Sequence, residues 1–511
     1  LILSWSLGIL AALCVALSVA LVVISKRFEP EARKWLLVAI QKRYQSGVEI
    51  GAFHASLYPV PKATVEDVVV RFHGRTDLPP LAKIRKMSLE ASLWGVRQKP
   101  VRISKVTLDG LEITIPPKEQ RRASQNSSDT GSPSNHEANF ILEKVIADGM
   151  VLHLLPGDPA KDSRNFDFEK LTLTSAALDR PMEFHAALGN WKPPGKIDTS
   201  GHFGPWSSDE PGDTPLDGKY TFREADLSVF HGISGTLSSD GEYHGQLDRI
   251  ECNGTTDTPD FKVSVGRPVD LKTEFHAIVD GTNGDTMLQP VTAHFGKTTL
   301  VARGSVVNIP PRKGKNISLT VDMQKGRVED ILHLVVNTPQ PMMVGSLAFR
   351  ADFQLLPGPK DVIDRLNMKG HFTIPSAQFT NLKVQDILGN LSRRAEGDPK
   401  AEIDEHVASA FSGDFIFKNS AASFSRLVFN VPGAEIRLSG DYGVHSGELN
   451  FAGQARTEAR LSQMTTGVKK AVLKFVDPFF AKDGAGAVIP IKISGTKDSP
   501  KFGLNFHSKK H

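Results

Sequence analysis

In this chain of 511 residues, the nearest approach to a nucleophile motif is Gly443-Val444-His445-Ser446-Gly447. A G-x-S-x-G elbow needs its serine at the centre, on a sharp strand-to-helix turn that presents the hydroxyl for attack. Here the serine comes one place late and the glycines read as a β-turn. Asp280-Gly281-Thr282-Asn283-Gly284-Asp285 invites a calcium-loop reading, but the D-x-D-x-D-G spacing is missing. Val291 also stands where a bidentate Glu would close the loop. The 16 histidines are scattered, without an H-E-x-x-H pair on one helix face. No G-x-x-x-x-G-K-[ST] loop occurs, and Gly484-Ala485-Gly486 follows a helical pattern instead of opening one. The carboxylates of Asp240 and Glu242 lie near a predicted turn and read as solvated. Asn126, Asn253, Asn316 and Asn390 occupy N-x-S/T sequons, which matter only in a host that glycosylates. The 2 cysteines, Cys14 and Cys252, form neither a C-x-x-C metal pair nor a disulfide framework. The chain is therefore read as a non-enzyme, with no catalytic, cofactor-binding or metal-binding residues and no cofactor.

Charge and composition narrow the partners. With 61 basic and 57 acidic residues the net charge is +4, close to balance. A dedicated nucleic-acid binder needs clustered excess Lys and Arg to neutralise phosphates, so nucleic acid is excluded as a partner. The aromatic residues are lopsided, with 28 Phe against 5 Tyr and 5 Trp. Phe brings apolar area without a polar handle, which points to a large apolar surface.

The elements that position these residues begin with Leu1 to Ile24, a run without charge. As a helix it spans about 36 Å, enough for a hydrocarbon core of about 30 Å. Because a signal peptide's apolar region is shorter, about 7–15 residues, this run is read as an uncleaved transmembrane anchor over 1–25. Lys26 and Arg27 then sit at the membrane interface, and two charges leave the orientation open. Residues 26–46 read as an amphipathic linker helix, with Pro30 in its first turn and Trp35, Leu36, Ala39 and Ile40 as its stripe.

Beyond residue 47 the period is two. Val68, Val70 and Phe72 alternate with Val69 and Arg71, and Leu347, Phe349, Ala351, Phe353 and Leu355 take successive odd positions. Phe415/Phe417, Leu427/Phe429, Ile436/Leu438 and Leu449/Phe451 continue the pattern, that of strands with one dry and one wet face. Asp240-Gly241, Asp280-Gly281 and Asn283-Gly284 read as hairpin turns, and Asp109-Gly110 as the joint between strands 101–108 and 111–115. With no βαβ rhythm, the sheet is expected to be mostly antiparallel. Residues 117–138, polar and without a bulky apolar residue, read as a disordered loop. A helical insert is expected over 384–411 and an amphipathic capping helix over 458–481.

The order of these parts resembles that of the bacterial AsmA-like family. The N-terminal likeness rests on Val48-Glu49-Ile50-Gly51, His54-Ala55-Ser56-Leu57-Tyr58-Pro59, Ala63–Val68, and strands 101–108 and 111–115 around Asp109-Gly110. At the C-terminal end it rests on Gly413-Asp414-Phe415, Gly433-Ala434-Glu435-Ile436, Gly440 and Ile489–Thr496 running into Asp498–Phe502. The two regions, 47–116 and 412–511, flank a middle β region, 139–383, that shares the period but no specific motif. The polar stretch at 117–137 departs from the family pattern.

The resemblance implies a mainly β protein: an N-terminal transmembrane helix, then a long twisted sheet curled into an apolar groove, with short capping helices. It implies a single-pass inner-membrane protein of a Gram-negative-type bacterium, with its bulk in the periplasm. Its function would be to shield phospholipid acyl chains between inner and outer membrane. Partners would be phospholipid, the inner membrane through residues 1–24, and outer-membrane or envelope proteins. The groove candidates are Val68, Val70, Phe72, Leu347, Phe349, Phe353, Leu355, Phe415, Phe417, Phe429, Leu449 and Phe451. Alternation by itself suits a sealed core as well as an open trough. The rival function is a structural or assembly factor for outer-membrane proteins that binds no lipid.

Overall fold

The computed structural model describes residues 47–504, apart from 57–59, 72–75, 77–78, 81, 93, 95–100, 116–139, 156–163, 177–179, 206, 208–210, 264–265, 310–313, 401–406, 408, 461–462, 465–485 and 498. The expected anchor, its interface residues Lys26 and Arg27, the linker helix, the loop 117–138 and Phe72 all lie outside the described residues. So does most of the capping helix 458–481, of which Glu458, Ala459 and Arg460 leave the preceding strand without helical structure. Among the described residues no helix is long and apolar enough to cross a membrane. The inner-membrane, single-pass placement is corrected accordingly and goes no further.

The chain divides into two compact units, residues 1–225 with 240–250, and residues 226–239 with 251–511. The first unit holds β1 (Gly47–Glu49), β2 (Phe53–Ser56), β3 (Lys62–Arg71), β4 (Ala82–Glu90), β5 (Val101–Ile103) and β6 (Lys105–Ile115). It continues with β7 (Phe140–Leu154), β8 (Arg164–Ala176), β9 (Met182–Trp191), β10 (Pro194–Phe203) and β11 (Pro215–Asp226). Around the division lie β12 (Ile233–Ser234), β13 (Thr236–Gln246) and β14 (Arg249–Val263). The second unit continues with β15 (Val269–Val279), β16 (Thr286–Phe295), β17 (Thr298–Asn308), β18 (Lys315–Arg327), β19 (Met343–Leu355) and β20 (Leu366–Phe379). It ends with β21 (Ser409–Lys418), β22 (Ala421–Val431), β23 (Ala434–Gly443), β24 (Glu448–Thr457), β25 (Ala487–Thr496) and β26 (Ser499–Leu504). Its helices are α1 (Val328–Val335), α2 (Val362–Arg365) and α3 (Leu382–Glu396).

Alternation carries the strands. Over β10, Pro194–Phe203, exposed and half-buried residues alternate without a break. From β15 to β26 each strand pairs antiparallel with the next in sequence, a continuous meander. In the first unit β5 and β6 both pair parallel to β7. Among the described residues β1 pairs with β3 alone and β26 with β25 alone, so no strand pairing closes the sheet. The expected curl into a groove is corrected by this pairing. A meander adds each strand beside the last, in one direction.

Two turn assignments change as well. Asp109-Gly110 joins no hairpin, because β6 runs straight through it, and Asp240-Gly241 lies inside β13. Gly110 has φ +64°, and in register it faces Arg85, which in turn faces Asp67, at φ +53°. Gly149, opposite Gly110 on β7, has φ +65°. One left-handed residue in each of β3, β6 and β7 shifts the alternation by a step, so apolar side chains at i and i+3 reach the same face. Thus Val65 pairs with Val68 beside Phe53, Leu108 with Leu111, and Ala147 with Met150 in the packed clusters of this unit.

The second unit reaches the same end by a different device. Every second strand from β16 to β22 carries one residue more than its neighbours, giving the bulges Leu288–Val291, Met323–Gly326, Ile374–Ala377 and Phe424–Leu427. In each, two exposed residues separate two that face the apolar side. Pro290 and Pro375 fall at these points, where no ladder bond is needed from the missing N–H. α1 closes over Met323, Leu347 and Ile374, and α3 over Val431 and Ala434. Of the helical insert expected over 384–411, the described residues show α3, and β21 begins at Ser409, while 401–406 and 408 lie outside the described residues.

Candidate functional site: an aromatic sheet face

Register places the large apolar residues of the second unit on one face. Phe349 opposes Phe372, which opposes Gly413, and Phe353 opposes Met368, which opposes Phe417. The opposite face carries Asp352 against Lys369 and Arg350 against His371, whose Nδ1 lies 2.7 Å from Asp414 Oδ1.

On the apolar face the rings form a continuous chain. Phe353 meets Phe349 at 6.3 Å between centroids, Phe349 stacks on Phe415 at 6.0 Å, and Phe415 meets Phe424 at 6.4 Å. Phe424 reaches Phe451 at 5.9 Å although a strand lies between them, because both oppose Gly440. A branch runs from Phe415 through Phe372, Phe411 and Phe429 to Phe379. A side chain at Gly413 would sit 2.8 Å from the Phe372 ring, so glycine there gives that ring its place. Offset and edge contacts of this kind each contribute about 0.5–1.5 kcal/mol beyond area burial.

The predicted residues fall into three groups. Phe349, Phe353, Phe415, Phe429 and Phe451 are members of the ring chain. Phe417 and Leu347 share its face but are buried, and Leu355 and Leu449 flank it in the rows of Ile317 and Tyr442. Val68 and Val70 lie in the first unit, in the cluster around Phe53. Phe372, Phe411 and Phe424 belong to the chain and were not among the expected residues. Phe411 falls within the segment read as a helical insert. Phe424 is separated from Leu427 by the bulge, which breaks the period that would have shown it.

Phe353, Phe415 and Phe424 belong to neither helix-covered cluster and remain half-buried. The face thus offers apolar area that the described residues do not bury, although no closed groove surrounds it. The expected function, carriage of phospholipid between two membranes from an anchored groove, is overturned: the described residues contain neither a spanning helix nor a closed groove.

The chemistry-bearing residues make structural bonds. Ser446 Oγ accepts from the Glu448 N–H at 3.2 Å inside its turn. Ser420 Oγ donates to Asp364 Oδ1 at 2.6 Å, and His445 Nε2 lies 2.7 Å from the same oxygen. A relay requires serine bonded to histidine, whereas here the carboxylate stands between them. Those two bonds, from Ser420 first, hold Asp364 below the ordinary carboxylate range. Burial pushes the Cys252 thiol up to about 11, away from the thiolate that a nucleophile needs. The Asp280–Asp285 loop is a turn, closed by the Asp280 N–H donating to the Asp285 carbonyl at 2.8 Å. Asn316 is buried, which rules out its use as a glycan acceptor. Among the described residues no group of three or more His, Cys, Asp or Glu could hold a metal ion.

No protein-family model matches this chain, no curated protein matches it, and no solved structure matches it.

Proposed function

We propose that this is a non-enzymatic binding protein whose binding element is the open aromatic face of the second unit. Its ligand is the hydrocarbon part of an amphiphile, with phospholipid the class favoured by the AsmA-like pattern of motifs. What is proposed is contact on an open face, with no enclosing groove and no transfer step. The observation that carries it is the unbroken ring chain Phe353–Phe349–Phe415–Phe424–Phe451, with its middle members half-exposed. Each CH₂ removed from water contributes about 0.8 kcal/mol, so a flexible chain gains steadily along such a face without needing a polar anchor. Burial of this kind is non-directional and selects length more than chemical detail.

The test is photo-cross-linking of the full chain with a phosphatidylcholine carrying a diazirine in one acyl chain, followed by peptide mapping. Labelled peptides from β19, β21 and β22 are expected, with the label lost in Phe353→Asp and Phe415→Asp proteins of unchanged circular dichroism. Label spread evenly over the polar face, or retained in both variants, rejects the reading.

A further inference from the structure

The same strands carry a second feature, on the opposite face and independent of the proposed apolar contact. Over β17–β21 the polar side forms an open depression of about 690 Å³. Two cross-strand rows floor it. One runs Ser305, Ser318, Gln354, Asn367 and Lys418; the other runs Arg303, Thr320, Asp352, Lys369 and Ile416. Met287 closes the end of the first row.

The charges are unevenly placed. Arg303 stands at one end, and Lys369 and Lys418 at the other, none with an ion-pair partner among the described residues. At a strand spacing of about 4.8 Å, Arg303 is about 14 Å from Lys369 and about 19 Å from Lys418 across the sheet. The one carboxylate, Asp352, lies between them and accepts from Thr320 Oγ1 at 2.8 Å. The remaining centre consists of hydroxyl and amide side chains, which both donate and accept.

We propose that this depression binds an acidic oligosaccharide whose two anionic rings are separated by two or three neutral ones. The end cations match acid groups about 14–19 Å apart. The amide and hydroxyl centre matches sugar hydroxyls, and a ring hydroxyl can donate to the free oxygen of Asp352. A peptide strand fits less well. These strands are interior to the sheet with their backbone groups paired, so no strand can be added to them. A uniformly charged acidic peptide would also place a carboxylate over Asp352.

The test is isothermal titration calorimetry of the full chain with a hexasaccharide that carries uronic acids on its first and fourth rings only and neutral N-acetyl sugars on the rest. Chitohexaose and hexaglutamate serve as comparators. The hexasaccharide is expected to bind, to weaken as salt is raised, and to lose about tenfold in affinity in the Arg303→Gln/Lys369→Gln protein. Chitohexaose and hexaglutamate are each expected to bind at least about tenfold more weakly than the hexasaccharide. Exposed charges are replaced, so folding is retained and is checked by the unfolding midpoint. Absence of hexasaccharide binding, equal binding of hexaglutamate, or indifference to the two substitutions overturns the proposal.

Discussion

The two units keep apolar side chains on one face by different backbone devices. In the first, left-handed residues at Asp67 in β3, Gly110 in β6 and Gly149 in β7 shift the alternation while the pairing on either side stays in step. In the second, every second strand from β16 to β22 carries one extra residue, and the register itself steps. Both bring residues i and i+3 to the same side. The first device depends on residue type, since a left-handed φ is cheap only for Gly, Asn or Asp. The second depends on residue count and tolerates many types. The side chains follow suit: mostly aliphatic, with the one ring of Phe53, and tightly packed around the fully buried Val65, but aromatic and half-open around Phe353 and Phe415.

The largest effect expected from this contrast comes from one charge placed in each unit. Val65→Asp buries an unpaired carboxylate and should cost several kcal/mol, unfolding the first unit in a urea titration followed by hydrogen exchange. Phe353→Asp, on the open face, should cost about 1–2 kcal/mol and leave the second unit folded. Equal collapse of the second unit would break the comparison, because it would make the aromatic face a sealed core.

A smaller effect separates the devices themselves. Gly110→Val forces a β-branched residue to φ +64°, with its Cβ 3.0 Å from Arg85 Cβ, and should destabilise by about 2–3 kcal/mol. Ser425→Ala, inside the Phe424–Leu427 bulge, should stay within about 0.5 kcal/mol, because the extra residue remains. Urea midpoints of the two variants check this directly, and a costly Ser425→Ala would show that the second device also depends on residue type.

The smallest effect is one of sign with pH. Asp364, in the second unit, is held below its ordinary value of 3.8 by bonds from Ser420 and His445. Its contribution is present above that value and is lost as pH falls through the lower folded one. His202, in the first unit, is raised above 6.5 by its hydrogen bond to Asp217 and by that carboxylate's charge. Its contribution is present below 6.5 and lost as pH rises through the higher folded value. Melting curves of Asp364→Asn and His202→Gln against the parent, from pH 3 to 9, should therefore converge at opposite ends of the range. Convergence at the same end would contradict the assignment.

Part of this was legible in the residues. Strict alternation marked β19, and Asp280–Asp285 marked the turn after β15. The bulges also leave a trace that alternation alone misses: Leu288-Gln289-Pro290-Val291, Ile374-Pro375-Ser376-Ala377 and Phe424-Ser425-Arg426-Leu427 each place two exposed residues, polar or proline, between two apolar ones. A period-two reading treats such a pair as an interruption, which is why Phe424 went unseen. Asp109-Gly110 misled for a related reason. The dipeptide favours a left-handed conformation wherever it occurs, and only the partner strands decide whether that conformation turns the chain or shifts a strand that continues.

What the sequence determined by itself is the local rule: a mainly antiparallel β protein with one dry face per strand. Side-chain period and turn preference are properties of a few adjacent residues, so a linear reading captures them. Which strands lie side by side, and in what register, was decided only in three dimensions. That choice made a chain of rings from Phe353, Phe415 and Phe451, left Val68 in another unit, and set Arg303 and Lys369 at the ends of one polar depression. It also left the sheet open where a curled groove was expected. Pairing between distant strands is selected by the fit of whole rows of side chains, and no short stretch of sequence carries a row.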